Sequence, residues 1–388
     1  MKIFIIAGEP SGDKLGGALM KGLKQLVPGA HFDGVGGEMM QQQGLRSLFP
    51  MQELSIMGIV EILPKYRHLK RRIAETADAV LTGKPDVLIT IDSPDFSLRV
   101  AKLVKAASDI RTVHYVAPTV WAWREGRAAK MAKVIDHVLA LFPFEPPYME
   151  AAGMECDFVG HPVVSETQAS EEETQAFRDE IGLLPGAPLI LALPGSRRGE
   201  VSRLTDTFGQ ALVPVLAQRP NARVIVPAAA PVADLVKEKC RNWPGDPIVL
   251  DPNEADLETA LHRKRVAFAA ADVALAASGT VSLELAAAKT PMVIAYDMNW
   301  MSRQIIARML KVDTVTLVNL VAESRTVPEF LGADCEPDQI AGGLLDLIAN
   351  PDDQEVAMET TMTRLGRGDS DPGIRAAKAV LSRLSTTS

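Results

Sequence analysis

The chain has 388 residues, which at about 100–200 residues per domain is enough for two or three domains. Its 41 basic and 49 acidic side chains leave a formal net charge of −8, so it lacks the overall basic character of a nucleic-acid-binding protein. Hydrophobic residues form 47% and charged residues 23% of the sequence. This composition indicates a globular protein and excludes a disordered one.

Long apolar segments are missing from the sequence. No run approaches the roughly 18 residues that a membrane-spanning helix requires. The apolar stretch 3–7 is too short for a secretory signal and is followed at once by Glu9. The three cysteines, Cys156, Cys240 and Cys335, lie far apart and lack the spacing of a metal site. We therefore expect a soluble cytosolic protein without a bound metal or a cofactor.

Short runs rich in β-branched residues alternate with amphipathic segments, a pattern typical of parallel sheets built from βαβ units. In the first half the predicted strands are Lys2–Ile6, His31–Val35, Asp86–Ile91, Arg111–Val116, His137–Phe142 and Asp157–Val159. In the second half they are Leu189–Leu193, Arg223–Val226, Ile248–Leu250, Val273–Ala276 and Pro291–Ala295. Predicted helices between them include Lys14–Val27 and Phe96–Ala107.

The polar and acidic stretch Glu166–Glu173 has no strand pattern and predicts a linker. We therefore predict an α/β protein of two Rossmann-like domains, 1–165 and 166–388, with a cleft between them. A last helix is predicted over Asp371–Leu384. The sequence leaves open whether this helix packs on the second domain or crosses back to the first.

Two loops in the first half follow predicted strands and carry carboxylates. The loop G-E-P-S-G-D (8–13) opens a helix, and its glycines and N–H groups suit an anion or a hydroxyl-rich ligand. The alternative is a tight turn with Ser11 or Asp13 as the helix N-cap. The loop D-S-P-D-F (92–96) places Asp92 either as a helix cap or as a base for an attacking hydroxyl.

Two further loops of the first half carry aromatic and imidazole groups. The segment 117–124 contains Trp121 and Trp123 beside an arginine, which suits a sugar or acyl surface but is also compatible with core packing. The loop G-H-P (160–162) contains His161, either a ligand contact or a buried histidine at the domain hinge.

Loops of the second half predict a nucleotide site. The segment 194–201 combines a glycine turn, a serine, Arg197 and Arg198 before a helix, which suits a pyrophosphate; the alternative is a capped helix with solvated arginines. The segment 278–284 has small residues for a phosphate and Glu284 for a ribose, although a first-turn glutamate also stabilises a helix. Neither loop carries a D-x-D metal motif. Together they predict an enzyme that binds a nucleotide-sugar.

Six motifs, in chain order, resemble those of the lipid-A-disaccharide synthase family. They are G-E-P-S-G-D (8–13), D-S-P-D-F (92–96), Y-V-A-P-T-V-W-A-W (115–123), F-V-G-H-P (158–162), G-S-R-R-G-E-V (195–201) and S-G-T-V-S-L-E (278–284). The resemblance implies a GT-B type glycosyltransferase on the cytoplasmic face of the inner membrane. It implies transfer from UDP-2,3-diacylglucosamine to 2,3-diacylglucosamine 1-phosphate (lipid X), with inversion, to give UDP and a β-1,6 disaccharide.

The resemblance also implies site residues. Asp92 is the expected general base, with Glu9 as the alternative base or an acceptor contact. The expected nucleotide- and phosphate-binding residues are Gly195, Ser196, Arg197, Arg198, Ser278, Gly279, Thr280, Glu284 and Asn319. The expected acceptor-side residues are Ser11, Gly12, Asp13, Trp121, Trp123 and His161.

An apolar stretch at 54–63 is followed within ten residues by a basic cluster. With the resemblance, this pattern favours contact with an anionic inner-membrane surface, each basic group contributing about 1 kcal/mol. The expected contact residues are Ile56, Met57, Ile59, Ile62, Lys65, Arg67, Lys70 and Arg71. The alternative is a buried helix followed by a solvated one.

Two other functions remain compatible with the nucleotide loops. One is a UDP-N-acetylglucosamine 2-epimerase or another nucleotide-sugar transferase on the same fold; the tryptophan loop and the apolar-basic segment would then have no evident purpose. The other is a bilobal protein that binds a solute without chemistry. The expected partners remain a UDP-sugar donor, a lipid acceptor and a membrane surface, with no nucleic acid.

Overall fold

The computed structural model describes residues 1–54, 59–121, 126–298 and 312–385, with only the backbone described for 59–66 and 385. The chain divides into two compact units. The first consists of Met1–Ser165 with Leu365–Ser388, and the second of Glu166–Arg364.

The first unit contains a seven-stranded parallel sheet in the order β3-β2-β1-β4-β5-β6-β7. Its strands are β1 (Lys2–Ala7), β2 (His31–Val35), β3 (Arg46–Ser47), β4 (Val87–Ile91), β5 (Arg111–Tyr115), β6 (His137–Ala140) and β7 (Glu155–Phe158). The helices between them are α1 (Pro10–Leu26), α2 (Glu38–Gln42), α3 (Ile59–Gly83), α4 (Pro94–Ala107), α5 (Gly126–Met131) and α6 (Pro146–Ala151).

The second unit contains a six-stranded parallel sheet in the order β10-β9-β8-β11-β12-β13. Its strands are β8 (Leu189–Leu193), β9 (Arg223–Pro227), β10 (Ile248–Leu250), β11 (Val273–Ala276), β12 (Met292–Tyr296) and β13 (Glu329–Leu331). Its helices are α7 (Glu171–Glu180), α8 (Arg198–Gln218), α9 (Ala233–Cys240), α10 (Leu257–Ala270), α11 (Val281–Ala287), α12 (Leu317–Ala322), α13 (Pro337–Ala349) and α14 (Glu355–Arg364).

The C-terminal helix, α15 (Pro372–Ser385), belongs to the first unit. Of the two placements that the sequence left open for this helix, the structure shows the return to the first unit: the second unit ends at Arg364, and α15 packs on α1. A Cβ on Gly22 of α1 would lie 2.6 Å from the carbonyl oxygen of Gly373 in α15. Because glycine is present on both helices, their backbones approach more closely than side chains would permit.

The central strands are buried along their whole length. All residues of β4, β8 and β11 are buried, as expected for parallel strands that helices cover on both faces. This burial explains why continuous apolar runs predicted them. The predicted α/β fold with two parallel sheets is therefore confirmed, although the predicted ends of several strands differ from the observed ones by one or two residues.

Two edge strands escaped prediction. The two residues of β3 pair with β2, and the three residues of β13 pair with β12. Each is short and lacks an apolar run, so pairing with a neighbour rather than local propensity makes it a strand. The predicted linker also contains the start of α7, where Ser170 and Glu173 form a reciprocal capping box.

Each sheet has a point at which the strand order reverses. In the first unit this point lies between β1 and β4, where Ala7 is paired with Ile91. In the second it lies between β8 and β11, where Leu193 is paired with Ala276. Ligands of open α/β sheets bind beyond the carboxyl ends of strands at such points. In each unit the register therefore brings two of the predicted loops side by side.

Candidate functional site

A cavity of about 870 Å³ lies at the carboxyl ends of β8 and β11 in the second unit. Seven of the nine predicted nucleotide residues line it, namely Gly195, Ser196, Arg197, Ser278, Gly279, Thr280 and Glu284. Its remaining walls come from β9, β10 and α10 with the loops that adjoin them. Arg198 is exposed but does not line the cavity.

Both glycine loops of this cavity have a backbone conformation that side chains disfavour. Gly195 has φ +119° and Gly279 has φ +140°, values that only glycine adopts without strain. A Cβ at Gly195 would also lie 2.6 Å from the Cβ of Glu200, whereas the position at Gly279 is open. The loop at Gly279 therefore presents open backbone to the cavity, as a phosphate site requires, whereas the Glu200 side chain lies against the loop at Gly195.

The first loop places a guanidinium group and two backbone N–H groups around one carboxylate. Glu200 Oε1 accepts Nη1 of Arg197 at 3.0 Å. Glu200 Oε2 accepts the N–H groups of Ser196 and Arg197 at 3.2 and 3.3 Å. The Arg197 side chain is 83% exposed. This arrangement of donors is one that binds anions.

Glu284 is not isolated in the cavity wall. Its Oε2 accepts a hydrogen bond from the ammonium group of Lys264. This ammonium group also lies 5.0 Å from the centre of the Phe268 ring. Within the described part of the chain, Oε1 has no hydrogen-bond partner. One oxygen is thus fixed by a cation, while the other can accept a hydrogen bond from a hydroxyl group.

Asn319 is not among the residues that line this cavity. Its side chain is buried, with Nδ2 donating to the carbonyl of Val327 at 2.9 Å and Oδ1 accepting the N–H of Val327 at 3.0 Å. Both ends of the amide therefore bind the backbone of the loop that follows α12. These bonds give Asn319 a role in the fold of that loop, and its nucleotide contact stays a prediction.

The corresponding edge of the first unit is strained at residues that have side chains. Asp92 has φ +48° and Ser93 has φ +44° at the end of β4, and Val116 has φ +82° at the end of the neighbouring β5. Such conformations cost of order 1–3 kcal/mol each and are concentrated at functional sites. The strain therefore marks this edge as a candidate site.

The backbone of Asp92 is held on both sides. Its N–H donates to the carbonyl of Tyr115 at 3.0 Å, and its carbonyl accepts the hydroxyl of Ser97 at 2.9 Å. The N-cap position of α4 is occupied by Ser93, so the cap alternative for Asp92 is not observed. Within the described residues its partly exposed carboxylate accepts no hydrogen bond, which leaves it able to accept a proton.

The loop of Glu9 touches the loop of Asp92. A Cβ at Gly8 would lie 2.7 Å from the Oγ of Ser93, so only glycine permits this approach. Glu9 is exposed and occupies the N-cap position of α1. The alternative interpretation had placed Ser11 or Asp13 at that position. The structure thus brings the two predicted carboxylates to neighbouring loops.

Two residues predicted for the acceptor side, Gly12 and Asp13, are buried in the first unit. The Asp13 carboxylate is buried and accepts the N–H groups of Gly37, Met39 and Met40, at 2.8, 3.0 and 3.1 Å, at the start of α2. A Cβ on the buried Gly12 would lie 3.3 Å from Ala7. The acceptor-side role of these two residues stays a prediction, and Ser11 is exposed in the first turn of α1.

Trp121 and His161 belong to one aromatic cluster. Trp121 packs edge-on against Phe144, with ring centres 5.1 Å apart, and Phe144 stacks on Phe142. The ring of His161 lies 5.5 Å from that of Phe142. Burial lowers the pKa of His161 to about 4, so its ring is neutral at physiological pH. Trp123 lies outside the described residues.

Sequence reasoning missed Glu145, which is buried beside this cluster. Its Oε2 accepts the N–H groups of Leu141 and Phe142, each at 3.0 Å. Burial raises the pKa of Glu145 to about 8. The only signal in the sequence is an acidic residue inside the apolar stretch F-P-F-E-P-P.

The predicted membrane residues are only partly described. Ile56 and Met57 lie outside the described residues, as do the side chains of Ile59, Ile62 and Lys65 at the start of α3. Arg67, Lys70 and Arg71 are exposed on α3. No helix in the described ranges has the length and apolar character needed to cross a membrane. The described side chains also contain no cluster of three acidic, histidine or cysteine groups able to hold a metal ion.

Comparison with solved structures defines the class. UDP-GlcNAc 2-epimerase from Neisseria meningitidis, bound to UDP-GlcNAc, superposes with a TM-score of 0.67 at 13% identity and covers 100% of both chains. HepE from Anabaena, in complex with UDP-glucose, gives a TM-score of 0.56 at 14% identity over 99% of both chains. At this identity the likeness concerns the fold alone. With its two Rossmann-like units, the chain has the GT-B fold.

Comparison of sequences gives the family. The family described as lipid-A-disaccharide synthetase matches residues 3–379. The lipid-A-disaccharide synthase of Ruegeria pomeroyi is 66% identical, covering 99% of this chain and 96% of its own length. That of Rhodospirillum centenum is 47% identical over 98% and 94%. The chain belongs to the lipid-A-disaccharide synthase family of glycosyltransferases, which form the lipid A disaccharide from a UDP-sugar donor and a lipid acceptor. The resemblance predicted from the six motifs is confirmed.

Proposed function

We propose that this chain transfers 2,3-diacylglucosamine from UDP to the 6-hydroxyl of 2,3-diacylglucosamine 1-phosphate, forming a β-1,6 disaccharide and UDP. The observation that carries the proposal is the cavity of about 870 Å³ in the second unit. Its walls combine two glycine loops, an arginine and a carboxylate. These are the groups that bind a diphosphate and a ribose.

In this proposal the second unit binds the donor. The diphosphate receives N–H bonds from the loops at 195–197 and 278–280 and a charge-assisted bond from Arg197. Glu284 accepts a ribose hydroxyl through Oε1, because its other oxygen is fixed by Lys264. The same cationic groups neutralise the charge that develops on the leaving UDP.

The first unit supplies the base. Inversion requires the acceptor hydroxyl to attack the anomeric carbon on the face opposite UDP, and this hydroxyl must lose its proton as the bond forms. We assign Asp92 as the group that accepts this proton. Its carboxylate accepts no hydrogen bond within the described residues, and its backbone is fixed at the end of β4. Such assistance is worth about 10²–10⁴ in rate. Glu9 in the adjoining loop is the alternative acceptor-side carboxylate.

The exposed basic residues of α3 support the membrane part of the proposal. Arg67, Lys70 and Arg71 lie within five residues of one another and are all exposed. An anionic bilayer surface attracts such a cluster. We place the enzyme at the cytoplasmic face of the inner membrane, where both acylated substrates would be reached from the membrane surface.

A UDP-release assay with diacylated and non-acylated donor and acceptor tests the proposal. We expect rapid UDP release only when both diacylated substrates are present. Release of UDP from UDP-GlcNAc without an acceptor, or interconversion of that sugar, would instead support an epimerase. Binding of UDP with no turnover under any combination would support a protein that binds a solute without chemistry.

A further inference from the structure

The loop at 195–197 already binds an anion of the protein's own, the carboxylate of Glu200. This carboxylate accepts the N–H groups of Ser196 and Arg197 at 3.2 and 3.3 Å and the Nη1 of Arg197 at 3.0 Å. The proposed function assigns the same donors to a diphosphate. Since each N–H hydrogen makes one strong bond, the two anions compete for these donors.

Burial shows that the carboxylate is built into the loop. The side chain of Glu200 is 15% exposed, whereas that of its partner Arg197 is 83% exposed. Gly195 leaves the space that the Glu200 side chain occupies, because a Cβ there would lie 2.6 Å from the Cβ and 2.8 Å from Oε2 of Glu200. The carboxylate is thus on the inner side of the loop, and the guanidinium remains open to solvent and to a ligand.

Helix capping alone explains only part of this arrangement. A glutamate at the third position of a helix commonly bonds the N-cap N–H, and Arg197 is the N-cap of α8. Here the carboxylate also accepts the preceding N–H of Ser196 and the guanidinium of Arg197. Glu200 therefore engages three donors that line the cavity, which exceeds what the cap requires.

We propose that Glu200 is a positioning residue that stands in for the diphosphate. Before the nucleotide binds, its carboxylate occupies Arg197 and the two N–H groups; when the diphosphate arrives, the carboxylate leaves these donors. The inference rests on the proposed function, since it needs UDP to bind in this cavity. It adds a residue that sets the affinity of the site through Arg197 and the loop.

A measurable consequence follows for nucleotide affinity. A site that is open for only a fraction of the time binds with its affinity reduced by that fraction. A carboxylate bonds N–H groups and a guanidinium about twice as strongly as a neutral amide does. Glu200→Gln keeps the shape of the side chain and the helix cap but weakens its hydrogen bonds to Ser196 and Arg197. We therefore expect this variant to bind UDP at least about fivefold more tightly than the wild type.

The experiment is calorimetric titration of UDP and of uridine into the wild type and three variants. Glu200→Asp keeps the charge but is one methylene too short to reach the same donors, so it also binds UDP more tightly. Uridine, which has no phosphate, binds all proteins equally. Asp206→Asn is the matched control: it removes a charge from α8 that pairs with Lys239 at 3.0 Å, and UDP affinity stays at the wild-type value.

Several results would overturn the inference. Unchanged or weaker UDP binding by Glu200→Gln contradicts it. If Glu200→Gln binds UDP more tightly but Glu200→Asp binds it with wild-type affinity, the effect of Glu200 is charge repulsion of the diphosphate and not competition for the same donors. A crystal structure of the wild type with UDP tests the displacement without any variant. If Glu200 still accepts hydrogen bonds from the Ser196 and Arg197 N–H groups in that structure, the diphosphate does not displace it. If the wild type binds no UDP, the proposed function fails first and the inference falls with it.

Discussion

At the carboxyl edge of the first sheet the backbone is strained at residues that carry side chains, whereas at that of the second sheet the unusual conformations belong to glycine. Asp92, Ser93 and Val116 have φ values of +48°, +44° and +82°, and Gly195 and Gly279 have +119° and +140°. The chemistry that we propose for each edge accounts for the difference. A phosphate is bound by bare N–H groups, so no side chain is needed there. A proton is accepted by a carboxylate, which requires a side chain despite the strain.

The two edges also treat their carboxylates differently. In the second unit Glu200 and Glu284 are each paired with a cation. In the first unit Asp92 accepts no hydrogen bond within the described residues, and Glu145 is buried with its pKa raised to about 8. The ion pairs of the second unit orient the neighbouring cationic groups, whereas the Asp92 carboxylate has no ion pair within the described residues. The comparison predicts that substitutions in the first unit alter rate or pH dependence, and those in the second alter nucleotide affinity.

The largest effect is expected at Asp92. Asp92→Asn keeps the shape and tolerates the left-handed backbone, but it cannot accept the proton. The transfer rate should fall by at least about 10²-fold, with UDP affinity and melting temperature close to the wild type. Single-turnover kinetics, calorimetry and a thermal melt on one preparation provide the three measurements.

Asp95→Asn is the matched control for this variant. Asp95 is exposed in the first turn of α4, within the same loop, and its substitution should leave the rate unchanged. Near-normal turnover of the Asp92→Asn protein would remove the assigned base and direct attention to Glu9.

The second expected effect concerns stability at the aromatic cluster. The folded-state pKa of Glu145, about 8, is above the ordinary value of 4.5, so the folded protein binds the proton more tightly than the unfolded chain. The stability from this group is full below pH 4.5 and is lost as the pH rises toward 8. Between pH 5 and 7 the wild type should lose about 3 kcal/mol relative to Glu145→Gln. Denaturant unfolding of both proteins across that range measures the difference.

Comparison of the two proteins is needed because the buried His114 and His161 act in the opposite direction. Burial lowers the pKa of each to about 4, so their contribution to stability is lost as the pH falls from about 6.5 toward 4. Glu150→Gln, at an exposed position of α6, should reproduce the wild-type pH profile. A wild-type profile in Glu145→Gln as well would show that the buried carboxyl does not titrate in this range.

A third effect is expected at Arg197. Arg197→Ala should weaken UDP binding by about 1.5–3 kcal/mol, the usual contribution of a hydrogen bond to a charged group. Arg198→Ala, at the exposed neighbouring position that does not line the cavity, should change UDP affinity little. Calorimetric titration with UDP compares the two, and equal losses would mean that the guanidinium acts only through overall charge.

The smallest effects are expected on α3. Replacing Arg67, Lys70 or Arg71 by Gln should each weaken binding to vesicles containing phosphatidylglycerol by about 1 kcal/mol. Their exposure means that melting temperature and UDP affinity should not change. Lys102→Gln on α4 is the exposed control. Equal binding of every variant in a vesicle sedimentation assay would argue against docking through this face.

Sequence reasoning succeeded where one short segment contains its own explanation. The buried strands read as apolar runs because both of their faces are covered. The cavity loops at 195–197 and 278–280 each have a glycine and a hydroxyl group after a predicted strand, and the first also has an arginine. This pattern is typical of a phosphate site. It failed at β3 and β13, whose three or fewer residues become strands only through a neighbour.

Sequence by itself determined the two parallel sheets, the family and most of the loop residues that line the cavity of the second unit, because apolar periodicity and glycine-rich turns are local properties of the chain. Only the tertiary structure decided what individual polar groups do. Asp13 bonds N–H groups 24 to 27 residues away, Asn319 closes the loop at Val327, and α15 packs against α1 from the other end of the chain. A polar side chain satisfies whichever partner the fold brings near it, and that partner is set by the whole arrangement of elements rather than by adjacent residues.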